Sequence, residues 1–416
     1  MRSSTLLCIA GAIFSVSCHL LPSPAAILWT DRPEFALYAE QFNFAQDQYK
    51  VEVRYFESPA LKLTETGANP DIVAGSWLKS SSTRNLFMPL DEILKKDPEM
   101  TESFYPRLLA LGFIDDKQYL LPAAFNIKAL VFARNQNLEL SNPFTIGLEE
   151  IEEQGKAYNT LNRGAYSRMG FSPAWSNEFL FTTMVLFNAS FRESDAAGQV
   201  AWENSSLDEA LGYISRWINE ANTNIQAEDD FTFKYFYEPP ARLVLSGRIL
   251  FTCFDSSLLF TLTPEVRENL DFRWIARNET IPLDANAVFY GIAKNGRSKK
   301  GAEAFTRWFF NLETQRFLLE QSKSKRINES SFGIAGGFSA MRTVTEQVFP
   351  QFYPGLLGHI PPESFLSPPN ILPRNWESLK ERVIFPYLQD RIRLKDAEET
   401  RPLERRITEW SRLNRR

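Results

Sequence analysis

Residues 26–77 read AILWTDRPEFALYAEQFNFAQDQYKVEVRYFESPALKLTETGANPDIVAGSW, and this stretch decides the fold class. Ala26-Ile27-Leu28-Trp29 is a short apolar strand that stops at Thr30-Asp31-Arg32-Pro33. A proline in the first helical position fixes φ without removing a needed donor, and Phe35, Tyr38, Ala39 and Phe42 then recur at helical spacing. KVEVRYF, residues 50–56, alternates as a strand, and Pro70-Asp71-Ile72-Val73-Ala74 is a further apolar strand ending in Gly75-Ser76-Trp77. Strand, helix, strand, strand in this rhythm predicts an α/β layer architecture.

The rest of the chain continues the mixture. Leu120-Leu121-Pro122-Ala123-Ala124-Phe125-Asn126 leads into the apolar run Ala129–Ala133. Ser206 and Glu209 have capping-box spacing ahead of the stripe Leu207, Ala210, Leu211, Ile214, Trp217, Ile218 and Ala221. A helix is expected near 239–247, where Gly247 can end it. Ile249 to Phe254 is a strand that stops at Asp255-Ser256-Ser257. Ala287 to Ala293 is another, followed by a helix that Ser298 can cap. Gly333 to Gly337 interrupts the chain before a helical C-terminal third with an Arg-rich end. No repeat, low-complexity tract or linker divides the sequence. A chain that crosses several times between two lobes has no need of one.

The chain has 416 residues, 44% apolar and 23% charged. That is globular composition, and at roughly 150 residues per domain it allows two or three domains. The 34 Phe, 13 Tyr and 9 Trp exceed what a core needs, so some rings are expected on a binding surface. A net charge of −5 argues against nucleic acid as a partner. With only His19 and His359, His-rich metal sites are excluded, a Ser-His-Asp triad is not expected, and no metal or cofactor is called for. His359 in Gly358-His359-Ile360-Pro361-Pro362 reads as a surface turn. Gly291-Ile292-Ala293-Lys294-Asn295-Gly296-Arg297-Ser298 has phosphate-loop spacing, but Arg297 stands where that loop needs lysine. A strand–turn–helix is the better account. The adjacent carboxylates Asp115-Asp116, Glu149-Glu150 and Asp229-Asp230 read as solvated.

Arg2, the 11-residue apolar run Leu6–Val16 and the small residues Ser15-Val16-Ser17 before Cys18 form an export signal. The run is too short to span a bilayer. The end of the signal resembles a bacterial lipobox, with residues 1–17 the signal peptide, Cys18 the lipidated residue and 18–25 the tether. The alternative is an ordinary signal peptide cleaved near Ala25 or Ala26. With Cys8 removed and Cys18 lipidated, Cys253 stands alone and no internal disulfide forms.

Several strands end in small polar residues beside an aromatic: Trp29-Thr30-Asp31, Gly75-Ser76-Trp77 and Phe254-Asp255-Ser256. Ligands of open α/β sheets sit beyond the carboxyl ends of strands, and rings with hydroxyl and carboxylate groups suit a sugar. In order and spacing these segments resemble the sugar-binding branch of the extracellular solute-binding lipoproteins of ABC transporters. The resemblance rests on ILWTDRPEFALYAEQFN, KVEVRYF, NPDIVAGSW, QYLLPAAFNIKALVFARNQNL, GRILFTCFDSS and, most specifically, NAVFYGIAKNGRSKKGAEAFTRWFFNLETQRFLLEQ, residues 286–321.

The resemblance implies a two-lobed, periplasmic-binding-protein-like fold of type II, each lobe a mixed sheet flanked by helices and joined by crossover hinge segments. Lobe 1 is expected over 26–125 plus 284–331 and lobe 2 over 126–283 plus 332–416. The ligand-binding residues it implies are Asp31, Trp77, Asn126, Trp175, Asp255, Ser256, Phe338 and Trp376. Trp175 lies in Ser172-Pro173-Ala174-Trp175-Ser176-Asn177, where Ser176 and Asn177 could take hydroxyls. The implied partners are a small solute, a saccharide, and an ABC permease in the inner membrane. The protein is expected to be monomeric, exported and held to the membrane by its lipid. The competing readings are a lipid-anchored carbohydrate-active enzyme and a structural or adhesive lipoprotein on the same scaffold.

Overall fold

Two sheets, flanked by helices, carry the chain in a computed structural model that describes residues 24–414 apart from 66, 68, 195–198 and 395–399. The signal and Cys18 lie outside the described residues. The strands of the two main sheets are β1 (Ala26–Thr30), β2 (Val51–Tyr55), β3 (Ile72–Gly75), β4 (Leu121–Phe125), β5 (Lys128–Ala133), β6 (Thr145–Gly147), β7 (Phe251–Asp255), β8 (Leu270–Ala276), β9 (Val288–Ile292) and β10 (Phe338–Ser339). The helices that matter for the argument are α1 (Glu34–Ala45), α2 (Asn177–Leu186), α3 (Asn204–Ala221) and α4 (Lys299–Phe309). Among the described residues no helix is long and apolar enough to cross a membrane.

The first sheet has the order β10-β4-β9-β3-β1-β2. β1 pairs in parallel with β2 and with β3, Leu28 facing Ile72, while β9 runs antiparallel to β3 and to β4. Its central strands are buried along their whole length, because helices cover both faces. α1 and α4 meet through Phe35 and Phe309, ring centroids 5.3 Å apart, and Phe42 and Phe305, 5.2 Å apart. The second sheet has the order β7-β5-β8-β6. The period-2 alternation of β5 divides it between two cores. Leu130 and Phe132 face a helical core with Trp217 of α3. Ala129, Val131 and Ala133 face a core continuous with the first sheet.

β10 adds to the edge of the first sheet, Phe338 facing Phe125 and Ser339 facing Ala124. The boundary at 332 expected from sequence is therefore displaced: this strand joins lobe 1, and the chain returns to the second lobe's helical core from Leu372 onward. Two capping expectations are also corrected. α3 begins at Asn204, before the Ser206–Glu209 box. Ser298 precedes α4, but its Oγ donates to the Pro24 carbonyl at 2.8 Å and makes no cap bond. Its amide instead donates to Asp71 Oδ1 at 2.5 Å. A carboxylate thus occupies the turn whose spacing mimics a phosphate loop. The helix Pro240–Leu245 and Gly247, with φ 68°, match the expected helix and its stop.

Candidate functional site: the interlobe cleft

The ends of β1 and β3 are tied together where the chain re-enters the first lobe. The Ser76 amide donates to Asp31 Oδ2 at 3.2 Å. Arg32 Nη2 donates to Ser76 Oγ at 2.9 Å, and that hydroxyl donates to the Asn286 carbonyl at 3.1 Å. Gly75 permits this approach, since a Cβ there would lie 2.6 Å from Pro59 Cγ and 2.9 Å from Asp31 Oδ1. Trp77 follows at φ 65°. A bulky residue in the left-handed region is a genuine outlier, and such strain collects at ligand clamps. The half-buried Trp77 ring, carried at the end of β3 in the first sheet, packs against the second lobe's helical core, so it sits where the lobes meet.

Asn126 follows β4 and ties the crossings together. Its Nδ2 donates to the Gly336 carbonyl at 2.9 Å, its Oδ1 accepts from Ser256 Oγ at 2.6 Å, and its carbonyl accepts from the Asp284 amide at 2.8 Å. Ser256, fully buried, also exchanges bonds with Ile127: the Ile127 amide donates to Ser256 Oγ and the Ser256 amide to the Ile127 carbonyl.

Beside this knot lies a charge cluster that sequence reasoning missed. Lys128, at the start of β5, is 6% exposed. Its Nζ lies 3.1 Å from Asp284 Oδ2 and 3.4 Å from Glu178 Oε2, and it donates to Asp255. Lys380, 8% exposed, reaches Glu178 at 2.9 Å and Glu377 at 3.5 Å. Burial pushes the Asp284 carboxyl up to about 7 despite the ammonium beside it. Burial pulls the Lys128 ammonium down, but the carboxylates of Asp284, Asp255 and Glu178 outweigh it and hold the group well above the ordinary lysine range. Asp255 is pushed up by burial and pulled further down by Lys128, ending below its usual value. The signal for the cluster was present in NIKALVFA: a lysine inside a wholly buried strand needs a partner.

The remaining expected site residues divide. Trp175 is half-buried within the second lobe, one face flat against Phe231 with centroids 5.8 Å apart and planes at 19°. Its neighbours Ser176 and Asn177 are already engaged: Ser176 Oγ accepts from the Phe179 amide as the cap of α2, and Asn177 Oδ1 accepts from Gln389 Nε2. Ser256, Phe338 and Trp376 are corrections. All are fully buried. Trp376 packs on Phe181 and Phe191 in the second lobe's core. Phe338 sits among Phe125, Phe332 and Trp274.

His359 is not a free surface turn either. Its ring lies 4.9 Å from Phe272, and its carbonyl accepts from Trp274 Nε1 at 2.7 Å. Of the paired carboxylates, Asp115-Asp116 form an exposed hairpin turn, Glu149-Glu150 open the helix Leu148–Tyr158, and Asp229 pairs with Arg393. Among the described residues no group of three or more His, Cys, Asp or Glu side chains is arranged to hold a metal.

The lobes also touch outside the crossings. The Ser81 amide and hydroxyl both donate to the Glu193 carboxylate at 2.8 Å, and Arg374 Nη1 donates to Thr64 Oγ1. These bonds link the two lobes directly. Charge-assisted bonds contribute about 1.5–3 kcal/mol each, enough to bias a two-state opening. Glu193→Ala should shift the unliganded protein toward an open form, read as a larger radius of gyration by small-angle scattering. A scattering profile identical to wild type would show that the pair does not hold the lobes.

The same fold is found in solved structures of saccharide-bound proteins. The sequence matches no protein-family model and no curated protein. Solved structures do match over nearly the whole chain. One is a cyclo/maltodextrin-binding protein complexed with maltotetraose, 13% identical with a TM-score of 0.64, covering 94% of this chain and 98% of that one. Another is an ABC substrate-binding protein from Listeria monocytogenes in complex with cycloalternan, 11% identical, TM-score 0.63, covering 92% and 96%. A third, a protein with mannotriose bound, is 13% identical with a TM-score of 0.59, covering 92% and 99%.

Proposed function

We propose that this protein captures a small extracytoplasmic solute, a sugar or oligosaccharide, between its lobes and delivers it to an ABC permease. The observation that carries the reading is the architecture: two sheets joined by crossings at 125–128 and 276–288, the chain returning to the second lobe's core from Leu372, with Asp31, Ser76, Trp77 and the Lys128 cluster beside those crossings. Solved structures of that architecture, matched over 96–99% of their length, hold oligosaccharides. Trp77 offers a sugar an apolar platform whose placement is already fixed by its strained backbone. In this reading the protein acts as a monomer without catalysis, and Cys18 carries the lipid that keeps it at the membrane.

Calorimetry with a panel of neutral maltooligosaccharides and mannooligosaccharides tests the reading. One class should bind saturably. Trp77→Ala should then weaken binding roughly thirtyfold, the loss of about 2 kcal/mol typical of a hot-spot ring. Absence of binding across these and acidic saccharides alike, or hydrolysis of the bound sugar, would overturn it.

A further inference from the structure

A separate cavity of about 310 Å³ lies in the second lobe, between α2, the segment 277–285 and the segment 367–372. That is at the small end of the roughly 300–1,000 Å³ of ligand pockets. None of its lining comes from the first sheet or α1, but the crossing residues 283–285 line it and Asp284 also contacts Lys128, so the cavity adjoins the interlobe site. Phe181, Phe191 and Leu372 supply apolar surface, Thr182 and Asn188 supply hydroxyl and amide groups, and the Asn370 amide already donates to the Phe191 carbonyl at 3.2 Å.

The cavity's one basic residue is Arg277. Its guanidinium lies 4.0 Å from the centroid of the Phe187 ring, and Nη1 reaches the Leu186 carbonyl only at 3.5 Å. Among the described residues no carboxylate pairs with it. Asp284, the one acidic residue of the lining, is turned to Lys128. A guanidinium is always charged and presents five donors in a planar fork that matches a carboxylate.

The backbone that holds Arg277 is strained. The Arg277 amide donates to the Thr280 carbonyl and the Thr280 amide to the Arg277 carbonyl, closing a two-residue turn. Its central residues, Asn278 and Glu279, have φ 50° and 58°. Turns of this form favour Asn-Gly or Gly-Gly, and glutamate there is unfavourable. Across the cavity Asn188 and Ser190 also have positive φ, 65° and 48°. Strain of this kind persists where the surroundings fix a functional geometry.

We propose that this cavity is a subsite for a hexuronate unit of an acidic saccharide, with Arg277 clasping the sugar carboxylate and the neutral groups taking hydroxyls. The proposal rests on the sugar-capture reading and narrows its solute class. The probes are D-galacturonate and D-glucuronate, titrated calorimetrically into the full chain beside D-galactose and D-glucose. At least one hexuronate should bind at least about tenfold more tightly than its neutral counterpart, since a bidentate charge-assisted contact is lost in the latter. Arg277→Gln should abolish that preference. Arg277→Lys, which keeps the stem and charge over Phe187, should fold normally and bind with intermediate affinity.

Failure of both hexuronates to bind, or equal hexuronate affinity in wild type and Arg277→Lys or Arg277→Gln, overturns the proposal. If neutral oligosaccharides still bind with dependence on Trp77, only this subsite falls. If no saccharide binds, the broader reading falls with it.

Discussion

Lys128→Met should destabilise the folded protein by about 3–5 kcal/mol, the range for breaking a buried ion pair on one side. The side chain is almost wholly enclosed, and its ammonium faces Asp255, Asp284 and Glu178 together. Methionine fills similar volume, so the loss is electrostatic: three carboxylates are left with Lys380, which contacts only Glu178 and Glu377. Adding Asp284→Asn to Lys128→Met should recover part of the loss, because it removes a buried carboxyl that must otherwise take up a proton or repel Asp255 and Glu178. Denaturant unfolding, compared at equal m-values, measures both variants. A change below about 1 kcal/mol for Lys128→Met would mean that water reaches the cluster and screens it.

Phe338→Ala should cost about 3–5 kcal/mol, as large-to-small changes of buried aromatics do. Its ring stacks on Phe125 of the first sheet at 5.6 Å and lies 5.9 Å from Trp274 of the second. Phe332 and Phe349 close the cluster at 5.0 and 5.7 Å. One side chain therefore fills the junction of the two lobes, and its loss opens a cavity that neither lobe can close alone. Phe338→Leu should recover more than half of the difference by refilling the space. Equal stability of Phe338→Ala and wild type in thermal and denaturant unfolding would place the ring outside the core.

Much of the first sheet was legible in sequence because its signals are local. The apolar runs of β1, β3 and β9 are bounded by Asp-Arg-Pro, Gly-Ser-Trp and Lys-Asn-Gly, and α1 shows its buried stripe from Phe35 to Phe42. What the local pattern does not carry is the fate of an aromatic in an irregular segment. Trp376 and Phe338 stand beside Asn375 and Gly337, as a surface ring would, yet each is buried by residues far away in the chain. Ser256 was recognised as a strand-end hydroxyl, but its partner Asn126 lies 130 positions away. The Lys128 cluster was hidden for the same reason: its carboxylates come from three separate segments, and only the lysine within a buried strand hinted at them. The displaced boundary at β10 follows from a two-residue strand, too short to show a period.

The Asn126 side chain has a consequence for how the protein could be divided. Its amide and carbonyl join the chain's first passage between the lobes to residues 256, 284 and 336, which belong to later parts of the sequence. Neither lobe is a contiguous stretch, and one apolar core runs through both sheets. A fragment cut at the first crossing would carry β1 to β4 without β9, the strand that lies between β3 and β4. A cut at the first crossing therefore divides a sheet and its core rather than parting two finished lobes. Gene fusion or truncation that separates residues 26–125 from the remainder splits the first sheet, leaving β9 and β10 on the other piece, rather than giving two working halves.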